Sequence, residues 1–159
     1  MAGSEQNNTQ NQGNTAVIHT QKVYTKDISF ETPNSPDIFT REWKPALNLD
    51  LGQKVTELAD NHFEVVLTLT ATVKVEDTTA YLAEVQQAGI FLLQGIDKDT
   101  LRNIINVYCP QLLYPYASFV IADLVSRGGF PQLVLSPVNF EMIFKKRLAE
   151  AAAQRKDVN

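Results

Sequence analysis

Few side chains in this sequence are spaced for catalysis or metal binding. Asp27 and Glu31 are four residues apart in an alternating segment, which as a strand puts them about 13 Å apart, too far for an acid and base acting on one bond. His19 and His62 are the only histidines and lie in no HxxxH, HExxH or CxxC setting, so no metal site is predicted. Cys109, the single cysteine, has no neighbouring histidine to activate it, which favours a buried structural thiol.

Motifs for phosphate binding and for a nucleophilic serine are also absent from the sequence. It contains no GxGxxG, GxxxxGK[ST] or GxSxG pattern, so no motif supports ATP binding or α/β-hydrolase chemistry. The sequence therefore predicts a protein without a cofactor and without enzymatic activity. A small enzyme using Asp27, Glu31 or His19 is the alternative from a different functional class.

Length and charge restrict the kind of protein further. A chain of 159 residues fits one domain, and a net charge of -4 argues against general nucleic-acid binding. Residues 1–16 are rich in Asn, Gln, Thr and Gly, which predicts a disordered arm rather than a secretory signal. The most apolar later stretch, residues 114–125, is shorter than the ~20 residues of a membrane-spanning helix. We therefore expect a cytoplasmic protein with no direct membrane insertion.

Four strands are predicted from two-residue alternation. The first begins at Val17, the second surrounds residues 47–51, the third spans 62–76 and the fourth spans about 80–93. On the first strand, Tyr24, Ile28 and Phe30 are expected on one face and Asp27 and Glu31 on the other. The fourth strand is apolar on both faces, with Tyr81, Val85 and Phe91 on one and Leu82, Ile90 and Leu92 on the other. Something must therefore cover its second face.

Two or three helices follow the strands. Asp97 is a suitable N-cap for the first, Pro110 and Pro115 are expected to break or kink it, and residues 128–129 are expected to end it. Ser136 and Pro137 are expected to start the last helix. Strands followed by helices predict an α+β domain over residues 17–150, with a flexible tail at 151–159.

Four segments resemble successive blocks of the SecB protein-export chaperone family, in the same order and with similar spacing. They are YTKDISFE-x-PN-x-P (24–36), EVQQAGIF (84–91), YCPQLLYPYA (108–117) and SRGGFPQLVLSPVNF (126–140). The resemblance spans roughly residues 23–148.

This resemblance implies a four-stranded antiparallel sheet with helices packed on one face, assembled as a homotetramer that is a dimer of dimers. It implies an ATP-independent chaperone that binds unfolded precursor proteins and delivers them to the SecA ATPase for export. An alternative within the same fold is a SecB-like chaperone dedicated to an antitoxin.

The resemblance also assigns residues to three surfaces. The SecA-binding residues correspond to Asp27, Glu31, Leu82 and Glu84, and the oligomer-contact residues to Ala83, Val85 and Gln87. The groove for clients corresponds to Leu47, Leu49, Leu51, Leu133, Leu135, Phe140, Phe144 and Leu148. Three features depart from the family pattern: Ala83 stands where a cysteine is frequent, the tail AEAAAQRKDVN is not acidic, and the N-terminal arm is longer.

Overall fold

The protein has an α+β fold in which four strands precede the long helices. A computed structural model describes residues 15–158, so the arm predicted for residues 1–16 lies almost entirely outside the described residues. The elements are β1 (Val17–Glu31), β2 (Ala46–Glu57), β3 (His62–Val75), β4 (Thr78–Gln94), α1 (Lys98–Asn103), α2 (Cys109–Arg127) and α3 (Phe140–Lys156), with a short 3-10 turn at Asp37–Thr40. The predicted α+β class and the four strands are confirmed.

The strands form one antiparallel sheet in the order β1-β4-β3-β2, with β1 and β2 at its edges. β2 to β3 and β3 to β4 are tight hairpins whose turn residues have positive φ, as in type I′ turns: Asp60 and Asn61 in one, Glu76 and Asp77 in the other. The longer segment 32–45 carries the chain from one edge strand to the other. The antiparallel sheet implied by the resemblance is therefore present.

The two faces of the sheet have different surroundings. On β3, Val65, Leu67 and Leu69 are fully buried and point toward the helices, whereas Glu64 and Thr68 at alternate positions remain partly exposed. We call these the helix face and the open face. The apolar residues of β4 divide between the faces as the sequence predicts, and the helix face is covered by the chain itself.

Two irregularities in β1 change which residues share a face. The register against β4 shifts between Thr20 and Lys22 and again between Thr25 and Asp27. Each extra residue inverts the alternation beyond it. Tyr24 consequently lies opposite Ala88 on the open face, while Ile28 lies opposite Val85 on the helix face. The expectation that Tyr24 shares a face with Ile28 and Phe30 is wrong, because the bulge was not visible in the sequence.

The helical segment over β3 and β4 is continuous from Lys98 to Arg127, so the two prolines do not break it. A π-helical turn, Ile104–Tyr108, lies directly before Pro110 and adapts the backbone to the missing N–H. The Nε2 of Gln53 on β2 donates to the Ile105 carbonyl at 2.8 Å, which ties this irregular turn to the sheet. Beyond it, the buried residues of α2 recur every four positions: Leu113, Ala117, Ile121 and Val125.

The same segment corrects an expectation about membrane spans. By length and composition alone, Lys98–Arg127 is long and apolar enough to cross a membrane, although residues 114–125 taken alone are too short. The core helix of a soluble protein meets the same criterion, and the buried side of α2 packs against β3 and β4. The segment is weak support for a membrane span.

The N-cap of α1 is the residue predicted from the sequence, whereas that of α3 is a different residue. Asp97 caps α1 by accepting from the Thr100 backbone N–H at 3.0 Å, as predicted. α3 is capped by Asn139, three residues after the predicted Ser136, because the Ser136 carbonyl accepts a hydrogen bond from the Tyr114 hydroxyl in an extended segment. α3 continues to Lys156, so most of the segment 151–159 is helical and exposed; its flexibility stays a prediction.

The close approach of α2 to the sheet depends on a glycine of β4. A Cβ on Gly89 would lie 2.7 Å from the fully buried Phe91 ring and 3.2 Å from Leu113, whereas a Cβ on Gly52 would meet nothing closer than 3.6 Å. We predict that Gly89→Ala lowers the free energy of unfolding by about 1–3 kcal/mol through overpacking. Urea denaturation should show this loss, with Gly52→Ala as the control. Equal stability of the two variants would contradict the packing argument.

Candidate functional site

The four residues assigned to SecA binding lie together on the open face. Asp27 is opposite Gln86, Glu31 is opposite Leu82, and Glu84 is on β4 between those two partners. The Glu84 carboxylate accepts a hydrogen bond from the Thr70 hydroxyl at 2.8 Å, which fixes its orientation. We call Asp27, Glu31, Leu82 and Glu84 the acidic patch. Its geometry suits a basic partner surface.

The residues considered for catalysis do not converge. His19 lies opposite Leu92 and Glu31 opposite Leu82, so ten residues of β4, about 33 Å, separate them. Cys109 is fully buried, and burial raises its thiol pKa to about 12, which makes it inert at neutral pH. Within residues 15–158, no group of three or more His, Cys, Asp or Glu side chains could hold a metal ion.

The opposite end of the open face carries positive charge. The Lys26 ammonium lies 2.8 Å from a Glu64 carboxylate oxygen, and the Tyr24 hydroxyl donates to the other oxygen of the same carboxylate. The hydrogen bonds from Lys26 and then Tyr24 lower the pKa of Glu64. Burial, followed by the contact with Glu64, raises the pKa of Tyr24 to about 12, so its hydroxyl keeps its proton. Lys22 and Lys54 lie on this face as well.

The predicted client groove is only partly assembled as one surface. Leu51 of β2 lines a narrow cavity with Phe140 and Phe144 of α3, and Arg147 lies at the same cavity. Phe140 is buried in the core, so it acts as a wall rather than as an accessible contact. Ile143 of α3 also lines this narrow cavity.

The remaining groove residues surround this contact with different exposure. Leu49, Leu133 and Leu135 are half-buried and pack against the core. Leu47 and Leu148 are 45% and 42% exposed, and Leu47 lines a separate depression with Thr72 and Lys74. These two exposed leucines extend the apolar surface beyond the cavity.

A cluster of aromatic rings next to the groove was missed by the sequence reasoning. The Phe130 ring lies 5.0 Å from Phe39, 5.8 Å from Trp43 and 4.9 Å from Tyr81, measured between centroids. Phe39 is 51% exposed although its neighbours are buried or half-buried. The aromatic residues in DIFTREW and the phenylalanine after the two glycines were the available sequence signal, but nothing local indicated that they meet.

The predicted oligomer-contact residues lie beneath α2. Ala83 and Val85 are fully buried on the helix face, and Gln87 is 2% exposed and accepts a hydrogen bond from the Thr25 hydroxyl at 3.0 Å. The chain's own helix therefore covers the face opposite Glu84. The assignment of Ala83, Val85 and Gln87 to oligomer contact stays a prediction.

The outer side of α2, together with the turn before it, leaves aromatic side chains uncovered. Tyr108, Tyr116 and Phe119 are exposed there, Phe119 by 74%. Pro115, Tyr116 and Phe119 line a groove of about 440 Å³ that reaches Thr25 and Gln87 at the sheet. Gln87 is therefore the one predicted contact residue with access to this surface.

Comparisons with known proteins show the family of this chain. Residues 10–151 match the family model described as preprotein translocase subunit SecB. The protein-export protein SecB of Nitrosococcus oceani is 51% identical over 87% of this chain and 86% of its own length. That of Legionella pneumophila is 48% identical over 92% of this chain and 91% of its own length.

Among solved structures, a Mycobacterium tuberculosis SecB-like chaperone in complex with a peptide from an antitoxin has a TM-score of 0.62. It covers 76% of this chain and 87% of its own, at 18% identity, which is a likeness of fold. The family match spans most of the chain, and the named relatives share about half of its residues. This chain belongs to the SecB family.

Proposed function

We propose that this protein is a cytoplasmic, ATP-independent export chaperone that holds unfolded precursor proteins and delivers them to the SecA ATPase. The observation that carries the proposal is the identity of about 50% to protein-export proteins named SecB over nearly the whole chain. The separation of an acidic patch on the open face from an apolar surface on the helix face supports it. Such a separation allows a client and a docking partner to be bound at the same time.

Client binding is assigned to the predicted groove together with the aromatic cluster beside it. An extended unfolded segment that lies along β2 and α3 loses apolar area to the exposed parts of Leu47 and Leu148 and to Phe39. This burial contributes about 25 cal/mol per Å² and requires no particular sequence. β2 is an edge strand, so its free backbone groups can bond to the client main chain as well.

Removing the exposed part of this surface should weaken client capture. We predict that Leu47→Asp with Leu148→Asp raises the Kd for an unfolded client about 30-fold, since each leucine loses roughly 1 kcal/mol of apolar contact. Both side chains are partly exposed, so the fold should tolerate the change. Met142→Asp is the matched control, because Met142 is 67% exposed on α3 but lines no part of the groove. Unchanged capture by the double variant would remove these leucines from the groove.

SecA docking is assigned to the acidic patch. Asp27, Glu31 and Glu84 are within reach of one partner surface, and Ile28 and Phe30 of the same strand point away to the helix face. Opposed charges across such an interface accelerate association and are screened by salt. Docking is therefore expected to be independent of client capture.

Charge reversal tests this separation. We predict that Asp27→Lys with Glu31→Lys weakens SecA binding, most strongly at low salt, and leaves client capture intact. Glu150→Lys with Asp157→Lys is the control, because it makes the same change in net charge at exposed positions of α3 and of the residue directly after it. Titration calorimetry of both variants against SecA and an unfolded client is the measurement. Loss of client binding with retention of SecA binding would show that the two faces are assigned wrongly.

Assembly into a homotetramer, a dimer of dimers, is assigned to the outer side of α2. Exposed aromatic and apolar side chains on one helix are typical of a surface that a partner covers. The surface includes Tyr108, Tyr116 and Phe119 and is continuous with Gln87, one of the residues that the family resemblance assigns to oligomer contact.

This assignment makes a prediction about mass in solution. Tyr116→Asp with Phe119→Asp should shift the protein from tetramer to smaller species, because two charges would be buried without partners. Val134→Asp is the control, since Val134 is 78% exposed on a different segment. Light scattering at micromolar concentration is the measurement, and a tetramer mass for the double variant would exclude this face from the assembly contact.

The dedicated antitoxin chaperone is the second candidate within the fold. The SecB-like protein from Mycobacterium tuberculosis binds an antitoxin peptide, but it shares 18% identity with this chain, against 51% and 48% for the export proteins. The higher identity favours a broad set of exported clients. Capture of newly made polypeptides in the presence of SecA distinguishes the two, because a dedicated chaperone would retain one client.

A further inference from the structure

The open face is electrically polarised along its strands. Its acidic end contains the acidic patch, and Asp50 of β2 lies opposite Thr70 in the same region. Lys74 is the cation of this end of β3, and the neighbouring hairpin turn adds Glu76 and Asp77. Negative charge therefore dominates this end.

The other end of the same face is basic. Lys22 lies opposite Ile90, and Lys54 lies opposite Val66, which places both side chains on the open face. Both are exposed, and neither forms an ion pair within 4 Å in the part of the chain that the structure describes. Glu64 places a carboxylate in this region, but it already forms an ion pair with the Lys26 ammonium and accepts a hydrogen bond from the Tyr24 hydroxyl. The charge of Lys54 also contributes to lowering the pKa of Glu64, but the ammonium groups of Lys22 and Lys54 are both exposed and open to direct contact with a partner.

The charges at the two extremes of the face are far enough apart to act separately. The β4 partners of Glu31 and Lys22 are Leu82 and Ile90, eight residues apart, which corresponds to about 27 Å. This is more than two Debye lengths at 0.1 M salt, where the screening length is about 10 Å. Asp27, opposite Gln86, lies nearer to the basic end, about 13 Å along the sheet from Lys22. A basic side chain of a bound segment is therefore attracted at the acidic end of the face and repelled at the basic end. An acidic side chain experiences the opposite.

We infer that the open face binds an extended polypeptide segment of mixed charge in one orientation, with its basic half over the acidic patch and its acidic half over Lys22 and Lys54. The inference rests on the proposed docking role of the acidic patch and names the chemistry of the partner. A uniformly basic segment of the same length is disfavoured, because its far half would face the exposed ammonium groups of Lys22 and Lys54.

Synthetic peptides test this directly. Three labelled 16-residue peptides are compared by fluorescence anisotropy at 50 and 300 mM salt: one with a basic and an acidic half, one of identical composition with mixed charges, and one uniformly basic. The first peptide should bind about 5-fold tighter than each of the others at 50 mM, as expected for two exposed ion pairs, and the difference should shrink at 300 mM. Equal binding by the uniformly basic peptide would overturn the inference.

Charge reversal at the basic end supplies the second arm. Lys22→Glu with Lys54→Glu should abolish the preference for the two-halved peptide and improve binding of the uniformly basic one. Lys146→Glu with Lys156→Glu makes the same change in net charge on α3 and should preserve the wild-type order. An unchanged order in the Lys22 and Lys54 variant would contradict the inference.

Orientation and the docking role are measured separately. A nitroxide at the acidic end of the peptide should broaden amide resonances near Lys22 and Lys54 and leave those near Glu31 sharp; the reverse pattern would refute the orientation. SecA is titrated against the Asp27→Lys and Glu31→Lys variant in parallel. If the wild-type protein shows no preference for the two-halved peptide while SecA binding is weakened in the variant, this inference alone is refuted. Undiminished SecA binding by the variant would refute the docking role alone.

Discussion

The packing of α2 on the central strands is the constraint on which the other surfaces depend. Leu113, Ala117 and Ile121 meet the helix face of β3 and β4, and this contact fixes which side of the sheet is dry. Because side chains alternate along a strand, fixing the dry side also determines that Glu84 and Asp27 point to solvent. The outer side of α2, the acidic patch and the wall of the groove follow from a single apolar contact.

Much of this arrangement could be predicted from the sequence, because hydrophobic periodicity reports burial directly. The alternation in 62–76 predicted the two faces of β3, and the order of residues in β4 predicted that Tyr81 and Leu82 lie on opposite faces. Each prediction depends only on residues within one strand. The capping role of Asp97 could be predicted for a similar reason, because an N-cap side chain bonds to the backbone only three residues ahead. Local chemistry is what a sequence displays most clearly.

The features that escaped prediction depend on partners distant in the chain. The bulge near Lys26 is a property of the pairing between β1 and β4. The segment before α3, which begins at Phe140, is tied to α2 by the hydrogen bond from the Tyr114 hydroxyl to the Ser136 carbonyl. The aromatic cluster around Phe130 joins segments almost a hundred residues apart. Alternation predicted that Asp27 and Glu31 share one face of β1. The burial of Ala83 and Val85 beneath α2 depends on tertiary packing, which the sequence does not display.

The two extra residues in β1 have an evolutionary consequence. Substitutions along this strand change one contact each, but the loss of one residue at the bulge would invert a whole segment relative to β4. Either Tyr24 would turn toward the core, or Asp27 and Glu31 would be driven beneath the helix while Ile28 and Phe30 emerged into water. Length changes in β1 should therefore be far rarer among related chains than changes of residue type, and should occur in compensating pairs when they occur.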